Sequence, residues 1–221
     1  MASFLLFSGI LRRISVKLSK ICNDLRLLAS GPRCGFGEIN LPPMAPGSSI
    51  MPGKINPVIP EVVNQVCFQV VGHDVAITMA SEAGQLQLNV FEPLIIYNLL
   101  QSMDMLNRGM YTLRTKCIDG ITANEERCKE LAHGSIGVVT ALLPHIGYKR
   151  ATAAAALALQ EGCPVADAVT KLGFATRDEV NDLLRPERMT TNRKLGRVCI
   201  DTASAEEHEV AIHYEATRHI V

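Results

Sequence analysis

The chain has 221 residues, of which 48% are hydrophobic and 20% are charged, and its 22 lysines and arginines balance its 22 aspartates and glutamates. This length accommodates one domain or two small ones, and the composition is that of a folded globular protein rather than a disordered one. Because the net charge is zero and the basic residues are dispersed, the sequence predicts neither a nucleic acid nor a membrane as partner.

The first ten residues, Met1 to Ile10, are mostly apolar and are followed by Arg12 and Arg13. This run is too short to span a bilayer, and it lacks the positive N-terminal region and the cleavage site of a secretory signal. A mitochondrial transit peptide is one alternative, since no acidic residue precedes Asp24. We instead interpret the segment as a truncated beginning, either once part of a helix core or read from a displaced start.

A loop is predicted next. Six of the 11 prolines lie from Pro42 to Pro60, and they disfavour the interior of a helix or strand there. Hydroxyls and amides around one cation are suited to hold the carboxylates of a small anionic substrate. A serine there acts as a base only if positive charge and fixed dipoles lower its pKa, so an ordinary surface loop is the alternative. The polar residues in question are Ser48, Ser49, Lys54 and Asn56.

Two long amphipathic helices are predicted after the loop. The first begins at Pro60, a residue favoured at the first helical position, and its helically spaced apolar residues are Val62, Val63, Val66, Cys67, Val70 and Val71. The second runs from Pro93 to about Ile118. Its predicted apolar face consists of Leu99, Met103, Leu106, Met110, Leu113 and Cys117.

Shorter helices are predicted beyond Gly120. Thr122 and Glu125 have the spacing of a capping box, which predicts a helix that extends toward Leu143 and stops at Pro144. An alanine-rich helix is predicted over residues 149–161 and ends at Gly162, and a short helix precedes Gly173. A second capping box, Thr176 with Glu179, opens another helix before Pro186.

The remaining composition gives no indication of a cofactor. Seven cysteines, an odd number without a C-x-x-C pair, predict reduced intracellular thiols or small core residues and therefore a cytoplasmic protein. No spacing of histidines, cysteines and acids has the pattern of a metal site, so neither a metal nor another cofactor is predicted. His73, His133 and His145 are interpreted as structural or solvated.

The loop at residues 47–57 resembles the signature loop of the aspartase/fumarase superfamily, and its sequence is Gly47-Ser48-Ser49-Ile50-Met51-Pro52-Gly53-Lys54-Ile55-Asn56-Pro57. The flanking sequence is more similar to the aspartate ammonia-lyases of that superfamily than to its fumarases. The flanking stretches that carry this resemblance are residues 23–28, 31–35, 38–42, 58–68 and 82–90. The resemblance extends from about Val16 to about Met189.

The resemblance implies an enzyme that removes ammonia from L-aspartate by anti-elimination and releases fumarate. By position, Ser48 is the implied base that takes the Cβ proton, and Ser49 is implied to hold the β-carboxylate. Lys54 and Asn56 are implied to bind carboxylate oxygens of the substrate. Glu61 matches a glutamate that orients a histidine in relatives, and the alternative is a first-turn glutamate favoured by the helix dipole.

The resemblance also implies an assembly. Relatives form homo-oligomers, with tetramers built around a central helical bundle, and their site takes segments from three subunits. Relatives are about twice this length, and their threonine, serine and histidine contacts lie far upstream of the loop. We therefore expect this chain to be a C-terminal portion that encodes at most one of the three contributions.

The predicted fold is all-α: a long-helix bundle fragment followed by a small helical C-terminal domain. Residues 1–118 are predicted to form the bundle part with the loop at 47–57, and residues 119–191 the small domain. Residues 192–221 are interpreted as a divergent tail, either disordered or carrying two short strands. Two other functions stay open, namely a non-catalytic helical remnant or assembly protein and a fumarate hydratase, which the sequence after Pro57 disfavours.

Overall fold

The computed structural model describes residues 1–31, 33–45, 51 and 55–190. Within these residues it contains nine α-helices and two strands of two residues each, which confirms the predicted all-α class. The chain divides into two compact units, one that ends at Leu131 and one that begins at Ala132. The predicted division at residues 118/119 stays a prediction, and the predicted tail at 192–221 lies outside the described residues. None of the described helices is long and apolar enough to cross a membrane.

Three long helices build the first unit: α1 (Ala2–Leu28), α2 (Val58–Glu82) and α3 (Glu92–Lys116). Each presents apolar side chains three or four residues apart, which is the spacing that places them on one helix face. Helix α2 packs against both α1 and α3. The buried apolar residues that join the three helices are Leu11, Val70, Ile77, Ala80, Ile95, Leu99 and Leu106.

The predicted starts and faces of the long helices need two corrections. Helix α2 begins at Val58 rather than at Pro60, which is buried in its first turn. The buried face of α3 is centred on Ile95, Leu106 and Leu113, so Met103 and Met110 lie at its exposed edge, 36% and 43% exposed. The prediction that they belong to the apolar face that packs was wrong, because Ser102 and Gly109 occupy the corresponding buried positions.

The third predicted helix is shorter than expected. Helix α4 covers Glu125–Gly134, and a 3-10 helix (Ile136–Leu142) and a short helix α5 (Leu143–Ile146) follow it, so Pro144 lies inside a helical turn. Thr122 does not form the predicted capping box. It lies in the strand β2 (Thr122–Ala123), which pairs antiparallel with β1 (Ile39–Asn40).

Four further helices lie in the second unit: α6 (Tyr148–Glu161), α7 (Val165–Lys171), α8 (Arg177–Leu183) and α9 (Pro186–Thr190). Gly162 ends α6 in the left-handed conformation at φ +64°, as the sequence predicts. Thr176 and Glu179 form the predicted capping box at the start of α8. A separate core of apolar residues holds α6, α7 and α8 together: Leu142, Ala151, Ala154, Ala158, Val165, Ala168, Val169 and Val180.

His73 is buried between α2 and α3, with 7% of its surface exposed. Its Nδ1 atom lies 2.9 Å from the Ser102 hydroxyl, and its Nε2 atom lies 2.9 Å from the Gln69 amide nitrogen. Because an amide nitrogen donates, Nε2 accepts and Nδ1 donates, which is the pattern of a neutral imidazole. Burial also lowers the pKa of His73, so its role in the fold is structural.

Acidification is expected to destabilise the first unit through His73. The pKa of His73 is lower in the folded chain than the ordinary value of about 6.5, so the unfolded chain binds more protons in the window below that value. The free energy of unfolding is therefore expected to have its full value above about pH 6.5 and to fall as the pH decreases below it. Urea unfolding across this window should show that the free energy of unfolding of His73→Gln depends less steeply on pH. The matched variant His133→Gln, which changes an exposed histidine, should keep the original slope.

Candidate functional site

The predicted loop is described in part. Ser48, Ser49 and Lys54 lie outside the described residues, whereas Met51, Ile55, Asn56 and Pro57 lie within them. We refer to residues 37–45 as the upstream arm of the loop and to residues 55–61 as its downstream arm. The two arms establish how the chain holds the loop at both of its ends.

The downstream arm runs directly into α2. Pro57 is the N-cap residue of this helix, and its carbonyl accepts a hydrogen bond from the backbone N–H of Glu61 at 3.2 Å. The carbonyl of Asn56 accepts from the N–H of Val58 at 2.9 Å, and Asn56 is partly buried. Asn56 is thereby fixed at the positive end of a 25-residue helix, where the helix dipole favours an anion.

Glu61 lies in the first turn of α2. Its Oε1 atom is 3.8 Å from Arg26 Nη2 of α1, and its side chain is 39% exposed. The first-turn position agrees with the interpretation as a glutamate favoured by the helix dipole. The role beside a histidine stays a prediction, and in the part of the chain that the structure describes Glu61 lies beside the guanidinium of Arg26.

The upstream arm contains β1, which pairs with β2 beyond α3. Ile39 is opposite Ala123 and Asn40 is opposite Thr122 in this ladder. The arm therefore lies against a part of the chain that is more than 80 residues away in sequence. This nonlocal pairing sets the direction in which the chain approaches the loop.

The two arms meet at the end of α3. Leu41, Pro42 and Met44 of the upstream arm line the same small cavity as residues 57–60 of the downstream arm. Lys116 and Cys117, at the end of α3, complete the lining. Leu41 and Ile59 also pack against one apolar cluster. Both ends of the loop are thus held on a common support.

That support contains three buried thiols, one from each long-helix region. Cys22, Cys67 and Cys117 are at most 1% exposed and share an apolar cluster with Val63 and Leu113. Burial raises the pKa of Cys22 to about 11, with a smaller contribution from the two neighbouring thiols. Burial also raises the pKa values of Cys67 and Cys117. These cysteines are protonated core residues rather than nucleophiles.

The remaining candidate groups do not converge on the arms. His133 lies in α4 and His145 in α5, and both are exposed. Over the described ranges, no group of three or more histidine, cysteine or acidic side chains is placed to hold a metal ion. The described part of the site therefore consists of Asn56, Glu61 and the two arms.

Two family comparisons match this chain in separate stretches. Residues 2–72 match the family described as "Lyase", and residues 138–191 match the family described as "Fumarase C C-terminus". The first stretch contains α1, the whole loop and the beginning of α2. The second contains most of the second unit.

Several curated relatives are similar over most of the chain. An aspartate ammonia-lyase of Pseudomonas fluorescens is 60% identical over 193 residues, which is 87% of this chain and 40% of the relative. An aspartate ammonia-lyase of Helicobacter pylori is 57% identical over 82% of this chain and 39% of its own length. That of Escherichia coli is 49% identical over 85% of this chain and 39% of its own length. The chain thus spans about 40% of the length of the curated relatives it matches.

Solved structures give the same result for the fold. A structure described as fumarate lyase:delta crystallin from Brucella melitensis bound to cobalt superposes with a TM-score of 0.80 at 57% identity, over 86% of this chain and 41% of that one. A class II fumarase from Schistosoma mansoni superposes with the same TM-score at 34% identity, over 86% of this chain and 40% of that one.

Proposed function

The chain belongs to the aspartase/fumarase superfamily, and from this premise we propose that it supplies the base-bearing loop of an aspartate ammonia-lyase. The reaction is the reversible anti-elimination of ammonia from L-aspartate to give fumarate. The observation that carries the proposal is the 60% identity to an aspartate ammonia-lyase over 87% of the chain, a stretch that includes both arms of the loop.

The choice of an ammonia-lyase over a hydratase rests on relative similarity. The aspartate ammonia-lyases of Pseudomonas fluorescens and Helicobacter pylori are 60% and 57% identical to this chain. The class II fumarase of Schistosoma mansoni is 34% identical over nearly the same portion. Since the two reactions differ in their leaving group, this difference favours ammonia over water as the group that departs.

The proposed chemistry assigns one role to each polar residue of the loop. Ser48 Oγ, deprotonated beforehand, takes the proton from Cβ of L-aspartate and becomes a hydroxyl, and the electron pair of that C–H bond moves into the β-carboxylate. Ser49 donates to this carboxylate, while Lys54 and Asn56 bind substrate carboxylate oxygens. When the electron pair returns to form the Cα=Cβ bond, the Cα–N bond breaks and ammonia leaves. Fixed donors are required because the intermediate carries its additional charge on carboxylate oxygens.

The described geometry supports part of this arrangement. Asn56 is fixed beside the first turn of α2, where backbone N–H groups and the helix dipole favour a carboxylate. Glu61 lies one turn further, and we propose that it orients a histidine contributed from outside this chain segment. Because the chain spans about 40% of the length of its relatives, we also propose that the site is completed by segments outside this stretch, in a homo-oligomer of the complete protein.

The test measures fumarate release from L-aspartate by its ultraviolet absorbance. The chain is assayed alone and after mixing with the portion of the Pseudomonas fluorescens relative that lies outside the match. We expect turnover in the mixture, because the loop then meets the segments that complete the site. L-Malate is supplied in a parallel reaction and is expected to be converted more slowly than L-aspartate.

Two results would overturn the proposal. If neither the chain nor the mixture forms fumarate although the two polypeptides co-elute in gel filtration, the chain is a non-catalytic helical protein. If L-malate is converted faster than L-aspartate, the reaction is a hydration rather than a deamination.

A further inference from the structure

The segment that follows α3, residues 120–124, lies against the upstream arm of the loop. We propose that Asn124, together with Asn40 and Gly120, forms a clasp that positions the upstream arm and therefore the loop that carries Ser48. The catalytic part of this inference rests on the proposed function, whereas the clasp itself is a statement about how the loop is held.

A reciprocal amide pair is the centre of the clasp. Asn40 Nδ2 donates to Asn124 Oδ1 at 2.7 Å, and Asn124 Nδ2 donates to Asn40 Oδ1 at 3.1 Å. The same Asn124 amide also donates to the carbonyl of Gly37 at 2.8 Å. Asn40 Nδ2 reaches the Thr122 hydroxyl at 3.2 Å. Only a side chain with both an amide donor and a carbonyl acceptor can make the reciprocal pair.

Backbone contacts extend the clasp along the arm. The N–H of Asn124 donates to the carbonyl of Glu38 at 2.8 Å. Arg127 Nε donates to the carbonyl of Phe36 at 3.0 Å, and the Cys128 thiol lies 3.4 Å from the carbonyl of Glu38. Five consecutive positions, residues 36–40, are therefore tied to residues 122–128. The ties are these bonds, the Asn124 bond to Gly37 and the pairing of β1 with β2.

Gly120 gives the clasp a steric requirement. A Cβ atom at this position would lie 2.6 Å from Cγ of Pro42, which is far inside van der Waals contact. Pro42 is stiff because its ring fixes φ, so any larger residue at position 120 would push the arm away. The absence of a side chain at Gly120 thus allows the arm to approach the end of α3.

The clasp acts on one end of the loop only. Ser48 follows Pro42 by six residues (48 − 42), and Asn56 precedes α2 by two residues (58 − 56). The downstream end is held by α2 itself, independently of Asn124. Loosening the clasp should therefore displace Ser48 more than Asn56, which makes Asn124 a positioning residue for the base rather than for substrate binding.

Tryptic cleavage after Lys54 reports on the loop without any need for enzymatic activity. Cleavage requires local opening of several residues on both sides of the bond, and release of the upstream end makes that opening easier although α2 still holds the other end. Lys54 is the only lysine or arginine between Arg33 and Arg108, so mass spectrometry identifies this cleavage without ambiguity. We expect Asn124→Ala and Asn40→Ala each to raise the cleavage rate by about fivefold, the effect of losing roughly one net hydrogen bond. The double variant should fall short of the product of the two, because the amides form one pair.

Isosteric and matched variants separate positioning from general stability. Asn124→Asp keeps the shape but removes the donors to Gly37 and Asn40, so it should behave as Asn124→Ala does. Asn181→Ala, which truncates an exposed asparagine of α8, should leave cleavage after Lys54 unchanged. Cleavage after Arg108, within α3, reports global opening and should not rise in any of these variants.

Three outcomes would overturn the inference. The proposed clasp would be contradicted if Asn124→Ala left the cleavage rate after Lys54 unchanged, or if it raised the cleavage rate after Arg108 equally. In a mixture that forms fumarate, Asn124→Ala should lower kcat by more than it raises KM, and unaltered kcat would remove the catalytic part. If that mixture is inactive, the proposed function fails while the cleavage measurement still decides the clasp.

Discussion

Replacing Ser48 with alanine is expected to reduce fumarate formation from L-aspartate by about three orders of magnitude, since a positioned base contributes roughly 10²- to 10⁴-fold. Alanine keeps the backbone of the loop but has no oxygen to take the Cβ proton. Because the substituted group acts in the transition state, kcat and kcat/KM should fall together while KM changes little. The measurement is the initial rate of fumarate absorbance over a range of L-aspartate concentrations, in the mixture that the unsubstituted chain renders active.

Ser49→Ala is the matched control, because it removes the same atom from the neighbouring residue. If Ser49 only donates a hydrogen bond to the β-carboxylate, its replacement should lower kcat by less, about 10²-fold or less, because one fixed donor is lost. If Ser49→Ala has the larger effect on kcat, the two serines exchange roles. If Ser48→Ala retains more than about a tenth of the turnover, a loop serine other than Ser48 or a different group is the base.

Local patterns in the sequence correctly predicted the end of α6 and the start of α8. The left-handed Gly162 at the end of α6 and the capping box of Thr176 and Glu179 depend on residues within one helical turn. The alanines at positions 151, 154 and 158 of α6 are buried, and their spacing of three and four residues places them on one helix face. Where a helix begins and ends through its own side chains, the sequence alone is sufficient.

The same pattern failed where a distant segment competes for the side chain. Thr122 and Glu125 have the spacing of a capping box, yet Thr122 pairs with Asn40, which is 82 residues away. The amide pair of Asn40 and Asn124 was likewise not predicted, because nothing within a local window links two asparagines 84 residues apart. The one available signal was the segment 120–124, which was interpreted as the start of the small domain and, at Thr122, as a helix cap.

The sequence proposes residues for the candidate site, which stay a prediction, and it could not give the geometry of those that the structure describes. Asn56 and Glu61 lie where a loop that ends at a helix N-terminus places them, and their position follows from Pro57 as N-cap. The spacing could not predict that Arg26 of α1 approaches Glu61, because that contact depends on how α1 packs against α2. The roles proposed for Ser48, Ser49 and Lys54 depend, under the same proposal, on segments that other parts of a homo-oligomer would contribute.

The packing of α1 on α2 also contains an ion pair with one buried member, and removal of its exposed partner is expected to have the second large effect. Asp74 of α2 is 6% exposed in its side chain and accepts a hydrogen bond from the Ser8 hydroxyl at 2.6 Å. Arg12 Nη1 donates to its second oxygen at 2.9 Å, and the Arg12 side chain is 56% exposed. The two partners are thus unequal, because water can solvate the arginine but not the carboxylate.

This inequality predicts that the exposed partner is the more costly one to remove. Arg12→Ala leaves the buried carboxylate with Ser8 alone and should lower the free energy of unfolding by about 3 kcal/mol. Asp74→Asn removes the charge itself and keeps an oxygen for Ser8, so about 1 kcal/mol is expected. The double variant should recover much of the loss, since no buried charge then lacks a partner.

Urea unfolding at neutral pH and fixed protein concentration measures all three variants. Arg13→Ala, which changes a neighbouring exposed arginine, is the control and is expected to stay within about 0.5 kcal/mol of the unsubstituted chain. Equal losses for Arg12→Ala and Asp74→Asn, or simple addition in the double variant, would contradict the unequal solvation of the two partners as the cause.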